Sequence, residues 1–199
     1  MGLCPASVYM GRSLVVGDLP SEDACRRSRL CSARCSCDIS APDALRTFPG
    51  TYALVLRCIH GTKITVGALG PMQVVPGFYV YIGSAFGPGG LRSRLLHHLL
   101  KRASPHWHID YLRLVTEPTE AWITLDPTKR EHEWASALAK FPRVSVPIPR
   151  FGASDCRCPS HLFYADRLLS PKSLKRLLES HGASSGSVSR LTWSGMSPR

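Results

Sequence analysis

Gly77-Phe78-Tyr79-Val80-Tyr81-Ile82-Gly83, then Ser84-Ala85-Phe86-Gly87-Pro88-Gly89-Gly90, then Leu91-Arg92-Ser93-Arg94-Leu95-Leu96-His97-His98-Leu99, is the stretch that decides the fold. Aromatic and β-branched residues first give a strand. A Gly- and Pro-rich loop breaks it, and a leucine-rich segment with helical spacing follows, running from about Leu91 to Arg102. Working back towards the N-terminus, Thr51 to Ile59 is a second strand opening at Gly50. His60-Gly61-Thr62 reads as a turn and Lys63 to Val66 as the returning arm of a hairpin, with a break from Gly67 to Pro71. Working forward, Ala121 to Leu125 is a strand and Lys129 to Lys140 a helix. Ser170-Pro171 opens a short last helix, with proline at its first position. Strand pairs interleaved with helices in this order give an α+β fold, a small antiparallel sheet flanked by helices.

Residues 46–165 carry this pattern. Residues 1–45, with Cys25, Cys31, Cys35 and Cys37 among polar residues and little periodicity, read as a weakly ordered extension. Residues 166–199 read as the short helix and a basic tail, disordered from residue 182 onward. The net charge of +11 is unevenly placed: residues 1–45 are neutral, 46–165 carry +7 and 166–199 carry +4. Such an excess on a domain attracts polyanions, above all nucleic acid, although solubility alone is also served by it. No apolar run reaches the ~20 residues of a bilayer span. The start lacks a basic-then-apolar secretion signal, and Ala6 breaks the myristoylation pattern. Eight cysteines without such a signal point to reduced thiols or metal ligands, hence a cytoplasmic setting.

On a wheel of ~100° per residue, Leu91, Leu95, Leu99, Leu96 and Leu100 fill an arc from about 0° to 180°, and Arg94, His97, Lys101 and His98 fall at about 240° to 340°. One face would lie on the sheet while the other presents a basic stripe beside the glycine loop. An arginine there offers a fixed fork of donors to a phosphate. A merely solvated polar face is the competing reading.

Gly50-Thr51-Tyr52 on the first strand and Tyr81-Ile82-Gly83 on the later one resemble the two halves of the GIY-YIG nuclease motif. Arg94 and a helical glutamate follow in that family's order. Three further blocks resemble the Uri-type endonuclease branch: Gly77 to Ala85, Trp107-His108-Ile109-Asp110-Tyr111-Leu112, and Ser154-Asp155-Cys156-Arg157-Cys158-Pro159-Ser160-His161-Leu162-Phe163. The resemblance covers about residues 48 to 164. Thr51 stands where isoleucine is usual, and the gap between the two halves is long, which an extra hairpin would accommodate.

The resemblance implies a metal-dependent endonuclease that hydrolyses nucleic-acid phosphodiesters, DNA before RNA, in DNA processing or repair. Tyr52 and Tyr81 would line the pocket and position water, Gly83 would admit the substrate, Arg94 would stabilise developing charge, and a glutamate would bind Mg²⁺ or Mn²⁺. A phenol of ordinary pKa ~10 is a poor base, so His97 or His98 would assist. Ser84, His97, His98 and Lys101 are the further nucleic-acid contacts expected. Glu131 falls within the inward arc of its helix and is the preferred metal ligand and catalytic carboxylate, with Glu133 in reserve. Against this, Thr128-Lys129-Arg130-Glu131 fits a capping box, in which Glu131 would serve the backbone.

His108 and Asp110 fall on one side of a segment read as extended, as a polarising pair, a second metal position or a buried hydrogen-bonded lock. Cys156, Cys158 and His161 supply three zinc-type donors without an obvious fourth, Cys58 serving only if the fold brings it near; inert thiols are the commoner use of such residues. Ser154 and Asp155 fit a turn cap. Two rival functions remain: a non-catalytic nucleic-acid-binding module on the same fold, and a thiol or zinc structural protein.

Overall fold

A computed structural model describes residues 14–17, 48–101, 104–182 and 187–193. Its elements in chain order are β1 (Leu14–Gly17), β2 (Thr51–Cys58), β3 (Thr62–Val66), a single 3₁₀ turn (Gly67–Leu69), β4 (Gly70–Val74), β5 (Gly77–Ser84), α1 (Gly90–Leu99), α2 (His108–Arg113), β6 (Glu117–Thr124), α3 (Glu131–Ala139), β7 (Leu162–Ala165), α4 (Pro171–Ser180) and β8 (Ser189–Trp193). The main sheet has six strands in the order β1-β8-β6-β2-β5-β7, and β3 pairs with β4 in a separate two-stranded sheet. All pairings in the main sheet are antiparallel. The fold is α+β, as the alternation of strand and helix patterns requires.

β2 is central, and six consecutive residues from Thr51 to Leu56 are buried. That run is continuous rather than alternating because both faces of the sheet are covered. Tyr52, Leu54 and Leu56 face one layer with Leu91 and Leu95 of α1 and Ile109 and Leu112 of α2. Ala53 and Val55 face the other layer with Trp134, Ala135 and Leu138 of α3 and Leu174 and Leu178 of α4. The register slips between Val55 and Leu56 against β6, where Pro118 lies opposite Leu56 and a missing N–H costs the ladder least.

Several expectations need correction. β2 and β3 do not form a hairpin: both edges of β2 are taken by β5 and β6, so β3 turns away to pair with β4. That extra hairpin fills the long gap between the two tyrosine strands. Trp107 to Leu112 is not extended; residues from His108 onward form α2 because the Asp110 carboxylate accepts the N–H groups of His106 (3.0 Å) and Trp107 (2.9 Å), capping the first turn. The tail is not wholly without structure, since β8 runs between β1 and β6, and Leu14–Gly17 of the N-terminal extension joins it as the edge strand. The N-terminal cysteines Cys25, Cys31, Cys35 and Cys37 lie outside the described residues. The capping box at Thr128 does not form: Arg130 is the N-cap, without a side-chain cap bond, and Glu131 is the first helical residue. α4 opens at Ser170-Pro171 as expected, with Pro171 in its first turn, and Ser170 Oγ caps it by accepting from the Ser173 N–H. Among the described residues, no helix is long and apolar enough to cross a membrane.

Candidate active site

The register of β2 and β5 sets Tyr52 directly opposite Gly83, and Tyr81 opposite Leu54 two pairs along. All four point to the α1 side of the sheet. A Cβ on Gly83 would lie 2.4 Å from the Tyr52 hydroxyl, so only glycine lets that ring cross β5. The tyrosine rings then sit 6.5 Å apart at a cleft of about 260 Å³ that Arg94, His98, His106, Trp107, His108, Gly152, Ser154 and Asp155 complete.

Tyr52 and His98 form the buried heart of this cleft, at 2% and 1% exposure, with Tyr52 Oη 2.7 Å from His98 Nε2. Burial, reinforced by Tyr81, raises the Tyr52 phenol well above its ordinary pKa, and burial likewise raises that of Tyr81. Burial pushes His98 down to about 3, helped by the neighbouring His97 and Arg94. Both shifts favour the uncharged forms, so the resting pair is a neutral phenol and a neutral imidazole. No protein atom among the described residues partners His98 Nδ1. The placement of His98 corrects the basic-stripe reading. The buried arc of α1 centres on Leu91 and Leu95 and includes His98, while Leu100 is exposed. Lys101 is not on the stripe either: α1 ends at Leu99, and Lys101 pairs with Glu117 instead.

Arg94 keeps its position at the cleft, its guanidinium 4.4 Å from the centroid of the Trp107 ring. His97 Nε2 donates to Asp110 Oδ1 at 3.0 Å, and its ring packs tilted against Trp107 with centroids 4.1 Å apart. Burial works to raise the Asp110 pKa, but the N–H groups of Trp107 and His106 and the His97 ring outweigh it and hold the carboxyl below its usual range. His108 and Asp110 serve different partners: His108 Nδ1 accepts the Gly152 N–H at 3.0 Å. Ser84 is half-buried at the end of β5, opposite Thr51.

Glu131 is buried at the start of α3, whose body covers the opposite face of the sheet. It is absent from the cleft lining, yet its charge raises the pKa of both Tyr52 and Tyr81. Its Oε1 is 2.7 Å from Lys129 Nζ and 3.5 Å from His132 Nε2. Glu133 faces away, accepting from Arg130 at 3.0 and 3.1 Å with its side chain 41% exposed. It borders a separate open groove of about 440 Å³ with Arg130, His132, Lys140 and His181.

Beside Glu131 lies a second cluster. The donor atoms of His132, Cys156, Cys158 and His161 all lie within 4.8 Å of one another. His132 is the fourth donor that spacing alone does not reveal, because it comes from α3, and Cys58 is not part of the group: its thiol donates to the His60 carbonyl. Gly152 joins the two clusters. Its φ of +69° suits glycine, and a Cβ there would meet Tyr81 Cε2 at 2.8 Å and His161 Cβ at 3.2 Å. Asp155 is the residue that sequence spacing undervalues; it lines the cleft, and its charge acts with that of Glu131 on Tyr81, Lys129 and His161.

The family model for a domain of unknown function, DUF123, matches residues 51–183, which takes in both clusters and every strand of the sheet but β1 and β8. No curated protein and no solved structure matches the chain.

Proposed function

The chain belongs to the DUF123 family, and from that premise we propose that it is a metal-dependent endonuclease of GIY-YIG character acting on nucleic-acid phosphodiesters, DNA before RNA. The observation that carries the reading is the convergence of Tyr52, Tyr81, Arg94 and His98, from β2, β5 and α1, on one cleft with a direct Tyr52–His98 bond of 2.7 Å. A structural role for these groups would not need an arginine beside one buried and one half-buried tyrosine. The net charge of +11 favours a polyanionic substrate.

In this reading the scissile phosphate sits against Arg94, whose planar fork matches two phosphate oxygens and stabilises the charge that builds up as water attacks phosphorus. The Tyr52 oxygen takes the water proton while its own proton passes to His98 Nε2. The new P–O bond forms as the bond to the leaving oxygen breaks. A bound phosphate raises the proton affinity of His98, which is low in the free protein, because a nearby negative charge favours the imidazolium. Tyr81, 6.5 Å from Tyr52, orients the water or a phosphate oxygen. Glu131 and Asp155 fit a hard cation that keeps most of its waters and asks for one or two carboxylates, and the Lys129 ammonium already occupies a cationic position against Glu131. Mg²⁺ or Mn²⁺ held there would neutralise charge on the leaving oxygen.

The test is cleavage of a panel of branched, flapped, single-stranded and duplex DNA, with matching RNA, in Mg²⁺ or Mn²⁺. Nicking by the wild type that Tyr52→Phe and Arg94→Ala both lose supports the proposal. Salt-sensitive binding without cleavage across the panel would replace it with a non-catalytic binding module, and equal cutting by wild type and variants would trace the activity to a contaminant.

A further inference from the structure

We infer that His132, Cys156, Cys158 and His161 form a structural zinc site, and that Glu131 supports it from behind. The inference rests on donor geometry and on a loop already built for the purpose. A tetrahedral zinc with bonds of about 2.3 Å to sulfur and about 2.0–2.1 Å to nitrogen sets a sulfur and a nitrogen donor about 3.5 Å apart. Here Cys158 Sγ is 3.3 Å from His132 Nδ1, and Cys156 Sγ is 3.5 Å from His161 Nε2. The His132 and His161 rings are 5.6 Å apart and inclined at 54° rather than stacked. Two thiolates and two imidazoles select zinc over Mg²⁺, Ca²⁺ or Mn²⁺, which prefer oxygen. Both cysteines are free thiols.

The surroundings favour a site over a chance cluster. Arg150 braces the loop from its exposed side, its guanidinium donating to the carbonyl groups of Ser154, Cys156 and Cys158, and its backbone sits at φ 65°. A left-handed non-glycine residue persists where its surroundings over-determine it. His132 presents Nδ1 to the cysteines, while its Nε2 is 3.5 Å from Glu131 Oε1. A metal-bound histidine characteristically gives its other ring N–H to a carboxylate, which fixes the ring and raises its basicity. Glu131 stands in that position. Binding displaces two thiol protons to solvent, forms two Zn–S and two Zn–N bonds, and leaves every oxidation state unchanged. Because His132 lies on α3 and the other donors on the loop before β7, the ion would tie the start of that helix to the floor of the tyrosine cleft.

The experiment uses the full chain, purified in reducing buffer, with zinc content measured by elemental analysis and Co²⁺ as a spectroscopic substitute. About one zinc per chain is expected. The Co²⁺ form should show thiolate-to-metal charge transfer and the intense visible bands of a tetrahedral site. His132 is exposed enough for His132→Ala to keep the fold, and this variant should lose the tetrahedral spectrum; Glu131→Gln should weaken zinc against a competing chelator by about 10–100-fold. Wild-type protein that takes up no zinc, or gives only the pale spectrum of octahedral Co²⁺, overturns the inference, as does wild-type zinc affinity in His132→Ala. None of these readouts involves cleavage, so this inference and the nuclease reading fail separately.

Discussion

The tyrosine cleft and the cysteine–histidine cluster share a wall at Gly152 but are built in opposite ways. The cleft draws its lining from β2, β5, α1, the loop into α2 and the loop before β7, buries its key pair, and keeps that pair neutral. The cluster takes three of its four donors from one six-residue stretch, half-buries the two cysteines while burying His161, and needs one distant, exposed side chain to close. A cleft of the first kind is set by sheet register and tolerates little displacement. A cluster of the second kind is set by a local turn and is completed by whatever ion crosslinks it.

The contrast breaks most sharply at Arg94. Arg94→Ala should leave zinc content unchanged and lower the cleavage rate by about 10²–10³-fold, the usual loss when a preorganised donor to a transition-state charge is removed. A variant that cuts at the wild-type rate would take Arg94 out of the chemistry and leave the cleft as a binding pocket. Gly83→Ala tests the register directly. Its new Cβ would stand 2.4 Å from the Tyr52 hydroxyl, and such overpacking costs about 1–3 kcal/mol. Chemical denaturation should show that loss with the zinc content unaltered, since the clash falls on Tyr52, which is no member of the cluster.

How much of this was legible in the sequence differs between the two regions for the same reason. Tyr52, Tyr81 and Arg94 could be grouped in advance because they stand where the resemblance to the GIY-YIG motif puts them, on two strands and on the helix after the glycine loop. Glu131 could be chosen over Glu133 because helical periodicity separates inward from outward, and the burial of one and the exposure of the other follow that separation. His98 was misplaced because the five leucines of α1 suggest a broader apolar face than the sheet covers. The true buried arc is narrower and is shifted towards His98, with Leu100 left outside. His132 was illegible because its meeting with Cys156 and Cys158 depends on how α3 is docked, which no local pattern encodes. β8 hid among serines and glycines, although Leu191 in it is fully buried.

pH sharpens the comparison next. His98 is held neutral down to about 3 in the folded chain, against an ordinary value of about 6.5 when unfolded. Between those values the unfolded chain binds the extra proton, so stability rises with pH across the window and falls as acid is added. For one fully buried group this amounts to about 2 kcal/mol between pH 7 and pH 5. Denaturant titrations of wild type and His98→Gln at both pH values should differ by that slope, the variant being flatter. Equal slopes would mean that His98 is open to protonation in the folded state and that the neutral phenol–imidazole pair is wrong. The depressed Asp110 carboxyl adds a separate loss only below about pH 4, as it protonates.

The smallest effect is expected at Glu133, and it decides which carboxylate matters. Glu133 and Glu131 lie two residues apart on α3, but Glu133 makes only a half-exposed ion pair with Arg130, whereas Glu131 is buried between Lys129 and His132. An ion pair of the first kind contributes about 0–1 kcal/mol because solvent screens it and two side chains must be held still. Glu133→Gln should therefore shift the denaturation midpoint barely, keep zinc, and keep cleavage. Glu131→Gln, measured beside it, should depress cleavage and loosen zinc together, since its charge acts on both tyrosines while its Oε1 stands 3.5 Å from His132 Nε2. If Glu131→Gln loosens zinc and leaves cleavage intact, Glu131 belongs to the cluster alone, and Asp155, which lines the cleft, becomes the carboxylate that serves the phosphate.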